Sequence, residues 1–311
     1  MLMTVTLNAS VDKLYLLDRM TPGTVMRIKE VRNSAGGKGL NVSRVAAQLG
    51  ERVTAMGFVG GYTGQYFESL ITQEGITKAF TPIAAEMRNC INCWDLSSGQ
   101  STEYLESGAP VTQGEADRFL GDFAVRLPEA DAVAISGSLP RGLAEDFYAA
   151  LVNLCRRAGK PVLLDASGIA LVNALPALPD FIKPNIDEIT ALLGSLPRSF
   201  DEKLEAVRTL HRNGVAVAAL SLGAQGVLVA SDEGVYQGIP PVIQPKNTVG
   251  CGDSMVAGFA VGKVRGLPME ERIRLAVAVS TAAALAIGTG EYLDSDLQVI
   301  LPKVEIRAIL R

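Results

Sequence analysis

The chain predicts an α/β fold: three layers, α/β/α, around a mostly parallel central sheet, with a small β-sheet lid. Three observations carry that expectation. Short apolar runs at 3–7, 132–136, 162–165, 181–183 and 217–221 each lead into a polar group and a helical or turn segment, as parallel strands covered on both faces do. Two glycine-rich turns open helices, Gly36-Gly37-Lys38-Gly39 and Gly250-Cys251-Gly252. A set of short strand-like pieces falls outside the βα rhythm.

Length and composition bound the rest. With 311 residues, 48% of them hydrophobic, the chain can bury a large core. No linker, repeat or low-complexity tract interrupts it, so residues 1–311 read as one domain with lid strands from about 13–32 and 88–108. Against 33 acidic residues stand 29 basic ones, a net charge of −4, and no basic tract marks a nucleic-acid or anionic-lipid surface. Cys90, Cys93, Cys155 and Cys251 are few for this length and suit free thiols in a reducing compartment. Residues 1–20 lack the basic segment of a secretory leader and are interrupted by Asn8, Asp12 and Lys13. The most apolar run, 275–287, falls short of the ~20 residues a bilayer span needs. A soluble, cytoplasmic protein is expected.

Taken in order, residues 3–7 read as a buried strand ending in Asn8-Ala9-Ser10-Val11-Asp12, a polar break where α/β sheets carry ligand groups. Strand-like pieces at 15–18 and 25–31 flank the turn Thr21-Pro22-Gly23. After Ala35-Gly36-Gly37-Lys38-Gly39-Leu40-Asn41, the residues Val42, Val45, Ala46 and Leu49 recur at helical spacing until Gly50. That entrance matches neither the P-loop nor the dinucleotide fingerprint. Strands at 53–59 and 76–80 enclose a helix at 65–74, and 90–96 with 101–106 form a hairpin signal. From Ala116 the order is regular βα: a helix to Leu127, the strand at 132–136, a turn over 137–142, a helix to Ala158, then the remaining parallel runs. Runs at 226–230 and 235–238 look antiparallel, and two alanine-rich helices, 253–264 and 270–287, follow.

The second glycine turn concentrates the chemistry. A helix opened by Gly250 and Gly252 leaves backbone N–H groups unpaired with the positive end of the helix dipole behind them, a cradle for an anion. An ordinary phosphate pocket would avoid a second negative charge, yet Asp253 stands at the helix start. It reads either as a helix N-cap or as a base working beside a phosphate. His211, the only histidine, sits beside Arg212-Asn213-Gly214 and reads as an exposed helix-end residue. With no G-x-S-x-G elbow, no H-E-x-x-H and no cysteine–histidine pairing, acyl transfer and zinc hydrolysis lack apparatus. Phosphoryl transfer needs positioning, charge stabilisation and a proton acceptor, which the N–H groups of residues 250–253 and the Asp253 carboxylate can supply. Arg88 is either a solvated charge or a phosphate clamp. Asn185 and Glu188 can hold Mg²⁺ through water, although helix capping by Asn185 and Asp187 explains part of that cluster.

These residues also carry a resemblance. Gly36-Gly37-Lys38-Gly39-Leu40-Asn41 and Thr248-Val249-Gly250-Cys251-Gly252-Asp253-Ser254 resemble the two signatures of the ribokinase-like (PfkB) sugar kinases. Thr6-Leu7-Asn8-Ala9-Ser10-Val11-Asp12, Ser136-Gly137-Ser138-Leu139-Pro140, Lys183-Pro184-Asn185 with Glu188, and Ser221-Leu222-Gly223 with Gly226 resemble the blocks between them. The GGKGLNVSRV run, Arg88-Asn89-Cys90 and Gln100-Ser101-Thr102-Glu103 are most similar to the phosphosugar branch, and within it to the tagatose-6-phosphate kinases, with 1-phosphofructokinases beside them.

The resemblance implies a ribokinase-like fold and ATP- and Mg²⁺-dependent transfer of the γ-phosphoryl group to a ketohexose monophosphate, with K⁺ an open addition. It implies Asp253 as base and Gly250, Cys251 and Gly252 as an anion hole. Asp12, Gly37 and Asn41 would hold sugar hydroxyls, and Lys38 and Arg88, with Ser138 and Arg27, the existing phosphate. Lys183, Asn185, Ser221, Gly223, Gly226 and Thr248 would serve the nucleotide, with Asn185 and Glu188 reaching its metal through water. Lys38 and Arg88 are cations that a phosphosugar needs and a neutral sugar does not. Cys251 departs from the family's usual Ala or Ser, and Glu103 stands where 6-phosphofructokinases of the family carry arginine, which argues against fructose 6-phosphate. Tagatose 6-phosphate is the first expected acceptor and fructose 1-phosphate the alternative; a noncatalytic sugar-phosphate or nucleotide sensor is the rival of another class. The expected partners are the phosphosugar and ATP, with no nucleic acid or membrane, and the family's interlocking lid strands imply a homodimer.

Overall fold

The computed structural model describes residues 1–310. Along the chain come β1 (Leu2–Thr6), β2 (Ser10–Leu17), β3 (Glu30–Gly36), α1 (Lys38–Gln48), β4 (Val53–Gly60), α2 (Gly61–Leu70), β5 (Ile76–Lys78), β6 (Thr81–Ile83), β7 (Arg88–Asp95) and β8 (Gln100–Leu105). There follow α3 (Gln113–Arg126), β9 (Ala132–Ser136), α4 (Phe147–Arg157), β10 (Val162–Asp165), α5 (Gly168–Ala174), β11 (Phe181–Ile182), α6 (Ile186–Leu193), α7 (Phe200–Arg212) and β12 (Val217–Ser221). The remainder is β13 (Val227–Ser231), β14 (Gly234–Ile239), α8 (Cys251–Val264), α9 (Met269–Ala283), α10 (Asp294–Ile300) and β15 (Glu305–Leu310).

The main sheet has 11 strands in the order β15-β14-β13-β12-β11-β10-β9-β1-β4-β5, with β6 also paired to β4. Strands from β5 across to β12 pair in parallel, and β13, β14 and β15 add an antiparallel edge. Apolar residues on both faces of β1 explain its central place. Leu2 packs with α1, α8 and α9 on one side, while Met3 and Val5 pack with α3, α4, α5 and α7 on the other. This is the three-layer α/β/α arrangement. Because β4 lies on one side of β1 and β9 on the other, the strand order reverses between β1 and β9, where open α/β sheets form their ligand crevice.

A second sheet of 4 strands, β3-β2-β7-β8, stands apart. Its root is anchored: Val11 and Ala35 are buried with Leu40 and Phe67. Alternation then turns Asp12 to the opposite face. Further out the sheet is largely exposed, and every residue of β8 is so.

Several boundaries differ from the sequence expectation. The first two strands of the small sheet, expected at 15–18 and 25–31, lie at Ser10–Leu17 and Glu30–Gly36. Ser10 pairs with both Gly36 and Arg88, so cross-strand partners carry polar Ser10, Asp12, Asn33 and Ser34 into strands that apolar periodicity did not mark. Val25 and Ile28 instead occupy an exposed loop. The helix expected at 65–74 is Gly61–Leu70, the strand at 76–80 is the shorter β5 with β6 a separate strand after it, and α9 ends at Ala283 rather than 287. No signal marked α10 or β15. Among the described residues no helix is long and apolar enough to cross a membrane.

Candidate active site

The site lies at the carboxyl ends of β1, β9 and β10, facing the start of α8. Gly250 caps α8 in the left-handed region at φ 79°, and an ideal Cβ there would lie 2.4 Å from Thr289 Cγ2, so only glycine suits. Asp253 is therefore the third helical residue rather than the N-cap. Its carboxylate accepts a 2.6 Å bond from Asn41 Nδ2 and caps no N–H of its own helix. The N–H groups of Gly250, Gly252 and Asp253 have no protein acceptor among the described residues, whereas that of Cys251 reaches Thr248 O at 3.3 Å. The open donors are thus Gly250, Gly252 and Asp253, and the Cys251 amide is partly occupied. Every residue from Asp253 through Gly262 is buried, which holds this entrance still.

Four charged groups meet in front of it. Asp165, at the end of β10, approaches Lys183 Nζ through Oδ1 at 3.5 Å and Lys38 Nζ through Oδ2 at 3.6 Å. Asp165, Lys183 and Asp253 are buried, while Lys38 keeps 42% of its side chain exposed and faces the opening. Burial, joined by the Asp165 charge, pushes the Asp253 carboxyl up to about 6 against the opposing Asn41 bond and the Lys38 and Lys183 charges. Burial pulls the Lys38 ammonium down, but Asp165, Asp253 and Glu188 outweigh it and hold the group above its usual value. The Cys251 thiol is pushed up to about 11 by burial and by Asp253, so it stays protonated and unreactive at neutral pH.

On the second-sheet side, Asp12 takes a 2.6 Å bond from Ser10 Oγ, and burial raises its carboxyl pKa. An ideal Cβ on Gly36 would lie 2.0 Å from Asp12 Cγ, so the glycine makes room for that carboxylate. Gly37 begins α1 as its N-cap, directly before Lys38. Asn8 donates to Ser138 Oγ at 3.0 Å across the β1–β9 crevice. The Arg88 guanidinium is held by Asn8 O at 2.8 and 3.2 Å and by Glu106 O at 3.0 Å, which ties β7 to the crevice and leaves two N–H groups over. Glu103, on β8, lies two cross-strand pairs outward of Asp12 on the same face, and its charge contributes to the raised Asp12 pKa. Arg27 does not join them: it lies in the exposed loop after β2, and that eight-residue strand places it roughly 20 Å from the Asp12 end.

On the other side, Lys183 Nζ would be 3.3 Å from a Cβ on Gly252, so this lysine overhangs the N–H cradle. Asn185 and Glu188 form a reciprocal capping box at the start of α6, with bonds of 2.8 and 2.9 Å. Ser221 N–H donates to Pro184 O at 3.1 Å, bringing the Lys183-Pro184-Asn185 turn beside the tight Gly223–Gln225 turn and Gly226. Thr248 is exposed at the cradle's rim. His211 lies elsewhere, at the end of α7, with Nδ1 2.9 Å from Val215 O.

Comparison with known proteins decides what this site belongs to. The model of the pfkB family of carbohydrate kinases matches residues 5–296. The chain belongs to the PfkB family. Phosphofructokinase-2 from Escherichia coli, in complex with potassium, is 29% identical over 97% of this chain and 98% of its own, with a TM-score of 0.90. A Thermotoga maritima protein described as a possible 1-phosphofructokinase is 26% identical over 99% of both chains, also at 0.90. The ribokinase of Arabidopsis thaliana, complexed with ribose and ATP, shares the fold: 23% identity over 96% of this chain and 98% of that one, at 0.76. This PfkB kinase is accordingly an ATP-dependent sugar kinase.

Two residues of this PfkB kinase escaped sequence reasoning as site members. Asp165 was visible as a polar strand end but had no assigned role, because only the folded crevice brings Lys38 and Lys183 to its two oxygens. Arg44 stood within the GGKGLNVSRV run, three residues after Asn41, a spacing that puts both on one helix face. Its guanidinium binds Asn41 Oδ1 at 2.5 Å.

Proposed function

We propose that this kinase transfers the γ-phosphoryl group of ATP to a ketohexose monophosphate, with tagatose 6-phosphate the first acceptor to try and tagatose 1,6-bisphosphate the product. One observation carries the reading: a buried carboxylate whose pKa lies at about 6, set beside open backbone N–H donors and the cations Lys38 and Lys183. Asp253 accepts the sugar hydroxyl proton, the hydroxyl oxygen forms the new P–O bond, and the bond to the leaving ADP oxygen breaks with its electron pair. The N–H groups of Gly250, Gly252 and Asp253 stabilise charge on the moving phosphoryl oxygens. Lys38, with the two unused N–H groups of Arg88, serves the acceptor's existing phosphate, and Ser138 at the crevice adds a hydroxyl. Asp12, with the Gly37 turn and Asn41, orients sugar hydroxyls. The turns carrying Lys183, Asn185, Ser221, Gly223, Gly226 and Thr248 serve the nucleotide.

Mg²⁺ fits this donor set through water. Among the described residues no cluster of three His, Cys, Asp or Glu could hold a metal alone, but Glu188 keeps Oε1 outside the capping box, and Mg²⁺ characteristically retains waters and takes phosphate oxygens. When bound it would neutralise phosphate charge.

A second reading, fructose 1-phosphate as acceptor, is favoured by the likeness to the Thermotoga maritima protein. Escherichia coli phosphofructokinase-2 has been solved with fructose-6-phosphate, at 27% identity; the Glu103 charge on the Asp12 face of the second sheet speaks against that acceptor here. The whole chain acts as one kinase domain with the second sheet as its lid. Exposed Val31, Tyr104 and Leu105 on the two faces of that sheet support a homodimer formed through it. An ADP-release assay comparing kcat/KM on the three ketohexose phosphates tests the reading; tagatose 6-phosphate is expected to lead. Tight binding without transfer to any of them would overturn the kinase reading in favour of a sensor.

A further inference from the structure

Arg44 is placed to decide which way the catalytic carboxylate's neighbour points. We propose that its guanidinium fixes the orientation of the Asn41 amide and thereby presents Asp253 to the acceptor hydroxyl, making Arg44 a positioning residue for phosphoryl transfer. The proposal rests on the reading of Asp253 as base.

The chemistry follows from donor and acceptor types. Arg44 Nη2 donates to Asn41 Oδ1 at 2.5 Å and to Thr289 O at 3.0 Å, and Nη1 donates to Ala35 O. A guanidinium offers only donors, so the Asn41 atom that faces it must be the oxygen. The amide nitrogen is then left for Asp253, whose Oδ2 it meets at 2.6 Å. Turned over, the amide would set oxygen against carboxylate and N–H against guanidinium, two repulsive contacts in place of two bonds. With Oδ2 bound to a donor that cannot yield a proton, Oδ1 is the oxygen left to accept one.

The same fork gathers the parts that must agree in position. Ala35 lies at the root of the second sheet, Asn41 on α1, and Thr289 in the turn packed against Gly250. Asp253 faces Lys38 and Asn41 from α1, Asp165 from β10, Lys183 from the turn after β11, and Cys251 on its own helix. Arg44 in turn feels Asp12 from β2, Glu291 from the turn after α9, and Asp253.

The test is the pH dependence of kcat/KM for the phosphosugar in the wild type, Asn41→Ala, Arg44→Met, Arg44→Lys and the Asn41→Ala/Arg44→Met double variant. The Asn41 bond lowers the Asp253 pKa, so Asn41→Ala should move the acidic limb to higher pH. Arg44→Met should move it the same way and lower kcat roughly tenfold, part of the ~10² to 10⁴-fold a base contributes, while KM for ATP holds. Added to Asn41→Ala, Arg44→Met should shift the limb no further, since both act through one bond. Arg44→Lys keeps the charge without the planar fork and should fall between. A wild-type limb in Arg44→Met, or shifts that add in the double variant, would overturn the proposal. Should Arg44→Met fail to fold, Arg44→Gln takes its place, since its amide can present either an oxygen or an N–H group to Asn41, and a wild-type limb in that variant overturns the proposal equally. Near-normal turnover by Asp253→Asn would instead defeat the base reading itself, so the two failures are distinguishable.

Discussion

The start of α8 and the second sheet meet at the same crevice but are built in opposite ways. Around α8 nothing is loose: Gly250 is wedged against Thr289, ten consecutive residues from Asp253 are buried, and the carboxylate is bound by a residue 212 positions away. The second sheet is anchored at Val11 and Ala35 and then runs into solvent, with β8 exposed throughout. On the proposed function, the contrast puts reaction and recognition in different parts. A base and an anion cradle must hold position to a fraction of an ångström, whereas a surface that selects and covers a sugar must yield to let it in.

The contrast can be broken at its rigid end first. Asp253→Asn should lower kcat by ~10² to 10⁴-fold while phosphosugar binding stays nearly intact; steady-state kinetics showing near-normal turnover would remove the base from that end. On the side of recognition, Lys38→Ala at the start of α1 and Arg88→Ala at the root of the second sheet should raise KM for the phosphosugar about tenfold each, since each removes a charge-assisted contact. If KM for ATP moved instead, the acceptor's phosphate would lie elsewhere. A third probe is proton activity. The Asp253 carboxyl must be ionised to act and is pushed up to about 6, so log kcat/KM should fall with unit slope as pH drops below that value and level off above it. A flat profile from pH 5 to 8 would mean that burial does not tune the base.

The smallest effect concerns stability and sharpens the same point. With a folded pKa of about 6 against an ordinary 3.8, Asp253 takes up a proton more readily in the native state than in the unfolded chain. Its contribution is therefore favourable at low pH, declines as pH rises from 3.8 to about 6, and is a full penalty above that. Asp253→Asn should melt a few degrees above the wild type at pH 8, on the order of 2–4 °C per kcal/mol relieved, and the gap should close toward pH 4. Thermal denaturation at the two pH values checks the sign.

Most of the rigid half was readable from residue types alone. Glycines at 250 and 252 before an apolar run declare a helix entrance, and an aspartate in its first turn declares either a cap or a base. What could not be read was that Gly250 takes the cap position and that the Asp253 carboxylate is bound by Asn41, to which no local pattern links it. Asp165 failed for the same reason, its meaning lying in two lysines from other elements. The second sheet was read less well. Its strands are polar where they bear the site, as at Ser10, Asp12 and Ser34, so apolar periodicity pointed past them to 15–18 and to the exposed Val25 and Ile28. Arg27 was drawn into the site by resemblance and lies at the far end of the strand that carries Asp12.

The central position of β1 sets the order in which this molecule can be made. Leu2 pairs with Val53 on one side and with Ala132 on the other, so the earliest strand waits for both neighbours while the chain lengthens. Such long-range pairing slows folding and leaves an apolar edge open to wrong partners in the interval. Asn41 waits longer still, its acceptor arriving only with Asp253. A chain halted anywhere before that residue has most of its sheet but lacks the carboxylate proposed as base, so on that reading catalytic competence is among the last properties to appear during synthesis.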